Sequence, residues 1–197
     1  MRNIIIPIDF SEQSLKALDL AILFTNLQHS NIQMVYVAKK SDDYKRLSMD
    51  EESKFAEKKF ESLVERYSNK LKNGSKLRYI VKKGKIHHEV TSQAESYKDS
   101  VIFMTTHGAS GFEEFFIGSN AFKIISLSQV PVLTINKCNP FKKINRIIVP
   151  IDSSQKSRQK VSTAAEVARI TKAEIHVITV TTLNNEKINK KRNSYLH

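Results

Sequence analysis

The sequence predicts an α/β fold, a mainly parallel sheet with helices on both faces, and two observations carry that reading. Short apolar runs of strand length alternate with segments of helical periodicity, the order that crossover connections require. The opening pattern then returns once in a fixed register, so the fold is built from a unit and part of its repeat.

The elements follow in order. Ile4-Ile5-Ile6-Pro7-Ile8, ending at Asp9, reads as a buried strand over 4–8. Ser11 suits a helix cap, and Leu15, Leu18, Ile22 and Leu23 follow at helical spacing. A second buried strand spans 32–37. Ser48-Met49-Asp50-Glu51 has the spacing of a capping box and opens a long helix with Phe60, Leu63, Val64, Tyr67 and Leu71 on its apolar face; Asn73-Gly74 is expected to close it. A third strand covers 77–81. Ile86, Val90 and Ala94 mark a short helix, 101–104 a fourth strand, 118–127 a helix and 130–135 a fifth strand.

The repeat rests on two matches in one register. Ile4-Ile5-Ile6-Pro7-Ile8-Asp9-Phe10-Ser11 returns as Ile147-Ile148-Val149-Pro150-Ile151-Asp152-Ser153-Ser154, an offset of 143 residues, as from Pro7 to Pro150. The same offset lays Ile32-Gln33-Met34-Val35-Tyr36-Val37 on Ile175-His176-Val177-Ile178-Thr179-Val180. The expected organisation is one complete domain over 1–137, a linker over 138–143 around Pro140, and an incomplete second repeat over 144–197. That repeat ends in a polar, basic tail, whether by truncation or by nature, and is expected to lean on the first unit or on another chain.

Composition narrows the function classes. A chain of 197 residues with 40% hydrophobic and 26% charged residues can bury a core in one or two domains. The net charge of +12 fits attraction of a phosphorylated ligand, and lysine spread along the whole chain also fits a solvated surface; a nucleic-acid partner is not favoured. The single Cys138 excludes an internal disulfide and a thiolate cluster. No apolar stretch approaches the roughly 18 residues that span a bilayer, and no signal-peptide layout is present, so a soluble, cytoplasmic protein without a membrane partner is expected.

The chemistry-bearing residues follow the fourth strand: Thr105-Thr106-His107-Gly108-Ala109-Ser110-Gly111, then Gly118-Ser119. The spacing resembles the nucleotide loop of ATP-binding universal stress proteins, in which G-x-x-G and G-[ST] are separated by nine residues, here 109–117. Thr105 stands at the first glycine position. Ile6-Pro7-Ile8-Asp9-Phe10-Ser11 resembles that family's first strand and turn, and Val130-Pro131-Val132 the approach to its last strand. The resemblance covers residues 1–137 in order.

It implies a five-stranded parallel sheet of order 3-2-1-4-5 and a stress-response regulatory role. It also implies adenine-nucleotide binding, with Pro7, Asp9, Val37 and Met104 around the adenosine part and Thr105, Thr106, His107, Gly108, Gly111, Gly118, Ser119 and Asn120 around the phosphates. The expected ligand is ATP, with Mg²⁺ or Mn²⁺ where Glu113-Glu114 face the phosphates. Homodimers through the strand at 132–135 are also implied.

The site has a physical rationale of its own. In an open parallel sheet, ligands sit beyond the carboxyl ends of the strands where strand order reverses. A glycine-bearing loop lets amides approach phosphate, and a helix start favours anions. Each residue also admits a plainer role: Asp9 as a helix cap, Gly108 and Gly111 as turn residues, Gly118-Ser119 as a helix start, Val37 and Met104 as core. The alternative function is a universal stress protein without nucleotide, working as a dimerisation or protein-interaction module. No catalytic group and no protein metal site is identified, and at most weak ATP hydrolysis is expected. His87-His88 are adjacent and point apart on a helix, Ser119 lacks His and acid partners, and no P-loop motif occurs.

Overall fold

The computed structural model describes residues 1–38, 49–72, 74–106, 118–135, 143–152 and 154–179. It divides into two compact units, Met1–Phe141 and Lys142–His197, each taken here by itself. The first unit runs β1 (Asn3–Pro7), α1 (Glu12–Leu27), β2 (Asn31–Ala38), α2 (Met49–Ser68), β3 (Leu77–Lys83), α3 (Ile86–Glu95), β4 (Ser100–Thr105), α4 (Ser119–Leu127) and β5 (Val132–Ile135). These strands form one sheet in the order β3-β2-β1-β4-β5, with every pairing parallel. This is the expected fold.

Alternation along the strands sorts the apolar side chains between two faces. Ile4, Ile6, Ile32, Met34 and Phe103 point to one face, where Phe103 meets Phe24 of α1 edge-on at 5.1 Å and Phe60 of α2 stacks on Tyr79 at 4.9 Å. Ile5, Val35, Val37, Ile102 and Met104 point to the other and pack with Val90 and Ala94 of α3 and Ala121 and Ile124 of α4. A sheet covered on both faces has strands that read as continuous apolar runs, which is what made β1, β2 and β4 visible in the sequence.

Expectation and structure differ most at α1, α2 and β5. The buried stripe of α1 is wider than its leucines suggested and centres on Ala17, Leu18, Leu20, Ala21, Ile22 and Phe24, while Leu15 and Leu23 are only partly buried. Helix α2 stops at Ser68, so Leu71 lies past it and Gly74, at φ +68°, serves the following turn rather than the helix end. Ser48, the expected cap, and Asn73 lie outside the described residues. β5 begins at Val132, because Pro131 has no N–H to give; its carbonyl instead accepts from Ile102 N–H at 2.9 Å.

The second unit contains β6 (Arg146–Pro150), α5 (Gln155–Thr171) and β7 (Glu174–Ile178), with β6 and β7 paired in parallel as a two-stranded sheet. Its register, Arg146↔Glu174 to Pro150↔Ile178, is that of β1 and β2, Asn3↔Asn31 to Pro7↔Val35, moved along the chain by one constant offset. Single bonds repeat too: Ile8 N–H donates to the Val35 carbonyl at 2.8 Å, and Ile151 N–H to the Ile178 carbonyl at 2.9 Å.

Two substitutions test the packing of the first unit. Phe103→Ala removes a fully buried ring and is expected to cost about 3–5 kcal/mol in urea denaturation. Thr25 is fully buried and its hydroxyl has no hydrogen-bond partner among the described residues, so Thr25→Val is expected to raise stability by about 1 kcal/mol in the same assay.

Candidate functional site

The sheet opens at one place. β1 and β4 pair at Asn3↔Ser100, Ile4↔Val101 and Ile5↔Ile102 and no further. Beyond that point β1 continues with β2 as far as Pro7↔Val35, and β4 continues with β5 as far as Thr105↔Ile135. The strands part because α1 leaves β1 on one face while α4 follows β4 on the other, the topological condition for a ligand crevice.

Most of the expected site residues lie around this opening. Pro7 ends β1 and Asp9 follows two residues later; Met104 and Thr105 end β4 and Thr106 follows. The Gly118 N–H donates to the Thr106 carbonyl at 2.9 Å, which ties the start of α4 to the end of β4. Ser119 and Asn120 form the first turn of α4 and are exposed. His107, Gly108 and Gly111, with Glu113 and Glu114, lie outside the described residues. Val37 and Met104 are buried in the core cluster under the opening, so packing is a large part of their work.

The N-terminus of α4 has the character of an anion site. Gly118 caps it with no side-chain hydrogen bond, and the first turn carries no acidic residue. Amides at a helix start point outward with the positive end of the dipole behind them. Gly118 has a φ of −55°, open to any residue. A Cβ built there would lie 3.4 Å from the Thr106 carbonyl oxygen, an ordinary contact. Among the described residues, neither backbone conformation nor packing therefore demands glycine at this position.

Asp9 has a structural duty. Its Oδ1 accepts from the Ser11 N–H at 3.0 Å and from the Ser11 hydroxyl, and Ser11 Oγ in turn accepts from the Ser14 N–H at 3.2 Å to cap α1. The second unit repeats this turn: Asp152 Oδ1 accepts from Ser154 N–H at 2.8 Å, and Ser154 Oγ from Ser157 N–H at 3.2 Å.

Sequence reasoning missed Phe10. It sits between Asp9 and Ser11 at φ +62°, a left-handed conformation that bulky residues rarely adopt. Its ring stacks on Tyr36 at 5.3 Å and tilts against Phe60 at 4.9 Å, with the Lys59 ammonium 5.3 Å from its centre. Tyr36 donates to Glu52 Oε1 at 2.6 Å. Burial, then the Glu52 hydrogen bond and charge, then the charge of Asp9 hold its phenol above the usual tyrosine range. Only the aromatic character of Phe10 was visible in the sequence; its backbone conformation has no sequence signal.

Metal binding finds no support in a ready-made cluster: among the described residues no group of three or more His, Cys, Asp or Glu converges, and His88 Nδ1 instead lies 3.1 Å from Glu89. Among those residues no helix is long and apolar enough to cross a membrane.

Fold and topology together define a doubly wound α/β protein whose sheet parts between its first and fourth strands. The sequence profile of the universal stress protein family matches residues 1–136, and the chain belongs to that family. It is similar to Universal stress protein MJ0577 of Methanocaldococcus jannaschii, 28% identical over an alignment of 159 residues that covers 70% of this chain and 96% of that protein. The solved MJ0577 structure superposes with a TM-score of 0.61, covering 70% of this chain and 97% of that one at 25% identity. A universal stress protein of Archaeoglobus fulgidus, 23% identical, has a TM-score of 0.77 and covers 98% of this chain and 71% of its own. A universal stress protein solved in complex with cAMP shares the fold at 17% identity and a TM-score of 0.51, over 70% of this chain and 98% of that one.

The repeated turn generates a pH prediction. Hydrogen bonds from the Ser154 side chain and backbone, with help from Ser157 and Lys160, hold the Asp152 carboxyl down at about 2. A carboxyl lowered on folding contributes stability above the ordinary carboxylate range, near 4, and loses it as pH falls through about 2. Following the Asp152 carboxyl carbon by NMR is expected to show no titration down to pH ~3, and Ser154→Ala is expected to bring its midpoint back toward ~4.

Proposed function

We propose that this chain is an adenine-nucleotide-binding regulatory protein of the stress response, with ATP as its ligand and with binding rather than turnover as its output. The observation that carries the reading is the uncapped start of α4, tied to the end of β4 at the mouth of the β1–β4 opening. Phosphate oxygens would meet the amides of Ser119 and Asn120 and the Ser119 hydroxyl, with Gly118 bare beside them. Thr105, Thr106, His107, Gly108 and Gly111 would complete the phosphate loop, and Pro7, Asp9, Val37 and Met104 the adenosine side. A relative of the same fold held with cAMP supports an adenine nucleotide as the class of ligand.

A divalent ion, Mg²⁺ or Mn²⁺, would arrive with the polyphosphate and offset Glu113 and Glu114. No side chain is assigned as a general base, so any hydrolysis is slow. A cytoplasmic location fits this reading.

The competing reading is an interaction module without nucleotide. Thr105 favours it, because its Cβ and hydroxyl stand where a glycine would let the backbone reach the ligand. Calorimetric titration with ATP and Mg²⁺ separates the two. Saturable heat is expected from the unmodified protein and none from Gly118→Asp. That aspartate fits the backbone, caps α4 and repels phosphate, so circular dichroism should remain unchanged. An unmodified protein that gives no heat sinks the nucleotide reading.

Among the described residues β5 pairs only with β4, and its outer edge suits pairing across a two-fold axis. A homodimer through Val132–Ile135 is the expected assembly. Thr134 is exposed, and Thr134→Lys sets like charges across that axis; light scattering is expected to read a dimer for the parent and a monomer for the variant.

A further inference from the structure

The residue after Asp9 ties the rim of the β1–β4 opening to helix α2. Asp9 stays in the turn at the rim, its carboxylate bonded by Ser11, while Phe10, at φ +62°, sends its ring to α2. Three contacts make the tie. The ring tilts against Phe60 at 4.9 Å, it lies 5.3 Å from the Lys59 ammonium, and it stacks on Tyr36, whose hydroxyl donates to Glu52 near the start of α2. Phe60 is fully buried and stacks in turn on Tyr79 of β3, so the ring abuts a fixed wall.

The turn itself does not require this ring. Asp152 and Ser154 make the same bonds in the second unit with Ser153 between them, and Thr179 stands at the place of Tyr36. A left-handed phenylalanine is rare and persists only where packing over-determines it. Here that packing comes from β2 and α2, so the path of the chain at the rim and the seating of α2 are set together.

We infer that Phe10 is a coupling residue, which passes occupancy of the opening to the first half of α2. The inference rests on the nucleotide reading and names its regulatory side. A ligand seated in the opening lies against the chain that leaves β1 at Pro7 and Asp9. Holding that stretch holds Phe10 in its left-handed conformation, and with it the ring against Tyr36, Phe60 and Lys59. An opening of α2 frees the ring, lets Phe10 relax and displaces Asp9. A ligand that binds one of two arrangements better stabilises that arrangement throughout. The far end of the path is a surface: Phe55 is 50% exposed, with the Lys59 ammonium 4.6 Å over its ring.

The test pairs two measurements on the full chain. Calorimetry with ATP and Mg²⁺ reads binding, and hydrogen exchange, followed residue by residue, reads α2. At ATP ten times above its measured Kd, an opening that must release the ligand is suppressed about tenfold. Amides over 52–60 are expected to exchange at least about threefold more slowly with ATP, beyond any slowing in β3, which reports the unit as a whole. Phe10→Gly keeps the left-handed backbone without strain and removes the ring. Titrated to ten times its own Kd, it is expected to leave α2 exchange unchanged within about twofold. Phe10→Tyr restores the ring and is expected to restore the slowing. Glu52→Ala, at a partly exposed position, cuts the Tyr36 bond without touching the turn and is expected to lessen the slowing, so the inference stays testable if circular dichroism shows the glycine variant unfolded. Heat with unslowed α2 in the parent overturns this inference alone, as does slowing that persists undiminished in the variants that fold. No heat from the parent overturns the nucleotide reading and this inference with it.

Discussion

Everything that gives the first unit its opening depends on β1 being shared. It pairs with β2 on one side over its full length and with β4 on the other for only three residues. The hydrogen bonds of a parallel sheet would otherwise hold all five strands together to their carboxyl ends. Helix α1 crosses back from β1 on one face, and α4 follows β4 on the opposite face, so the chain leaving β1 and the chain leaving β4 must diverge. The gap is thus a consequence of strand order, present before any side chain is chosen. Side chains then line it: the floor is apolar through Val37 and Met104, and the rim is polar through Asp9, Thr105, Thr106 and Ser119.

The exposed start of α4 brings amides and no carboxylate in its first turn, and the bond from Gly118 to the Thr106 carbonyl keeps that start against the end of β4. On the other side Asp9 is bound into its own turn, and Phe10 is held in a costly backbone conformation by Tyr36, Phe60 and Lys59. Strain held in place by packing is a feature of sites more than of scaffolds. Here it fixes the path of the chain between β1 and α1, and with it the position of Asp9.

How much of this was legible follows from the kind of signal each feature leaves. β1, β2 and β4 are buried on both faces, so their apolar runs stand out, and the repeat confirms the first two by recurrence. The strand order came through the resemblance carried by the loop spacing and Gly118-Ser119, not through periodicity. The end of α2 was misplaced because Gly74 reads as a helix stop, whereas the helix loses its apolar partners after Tyr67 and stops at Ser68. The stripe of α1 was drawn too narrow because Ala17 and Ala21 bury completely yet add little to an apolar count. Phe10 was illegible because its conformation is imposed by three neighbours distant in sequence.

The duplicated turn separates folding from function in a way that one domain alone does not allow. Among its described residues the second unit has no counterpart of β4 or α4, yet Asp152, Ser154 and Ser157 reproduce the bonds of Asp9, Ser11 and Ser14. A turn that recurs without a counterpart of β4 or α4 among the described residues serves at least to start a helix from the end of a buried strand. The presence of Asp9 is therefore weak testimony for a ligand, however well it suits one. The testimony that remains is a feature without a counterpart among the described residues of the second unit: a helix start with no side-chain cap, with a glycine that neither backbone nor packing among the described residues requires, held at the point where the strands separate. If the chain binds nucleotide, the affinity should follow changes at Gly118 and Ser119 more closely than changes at Asp9, where substitution acts on the stability of α1 first.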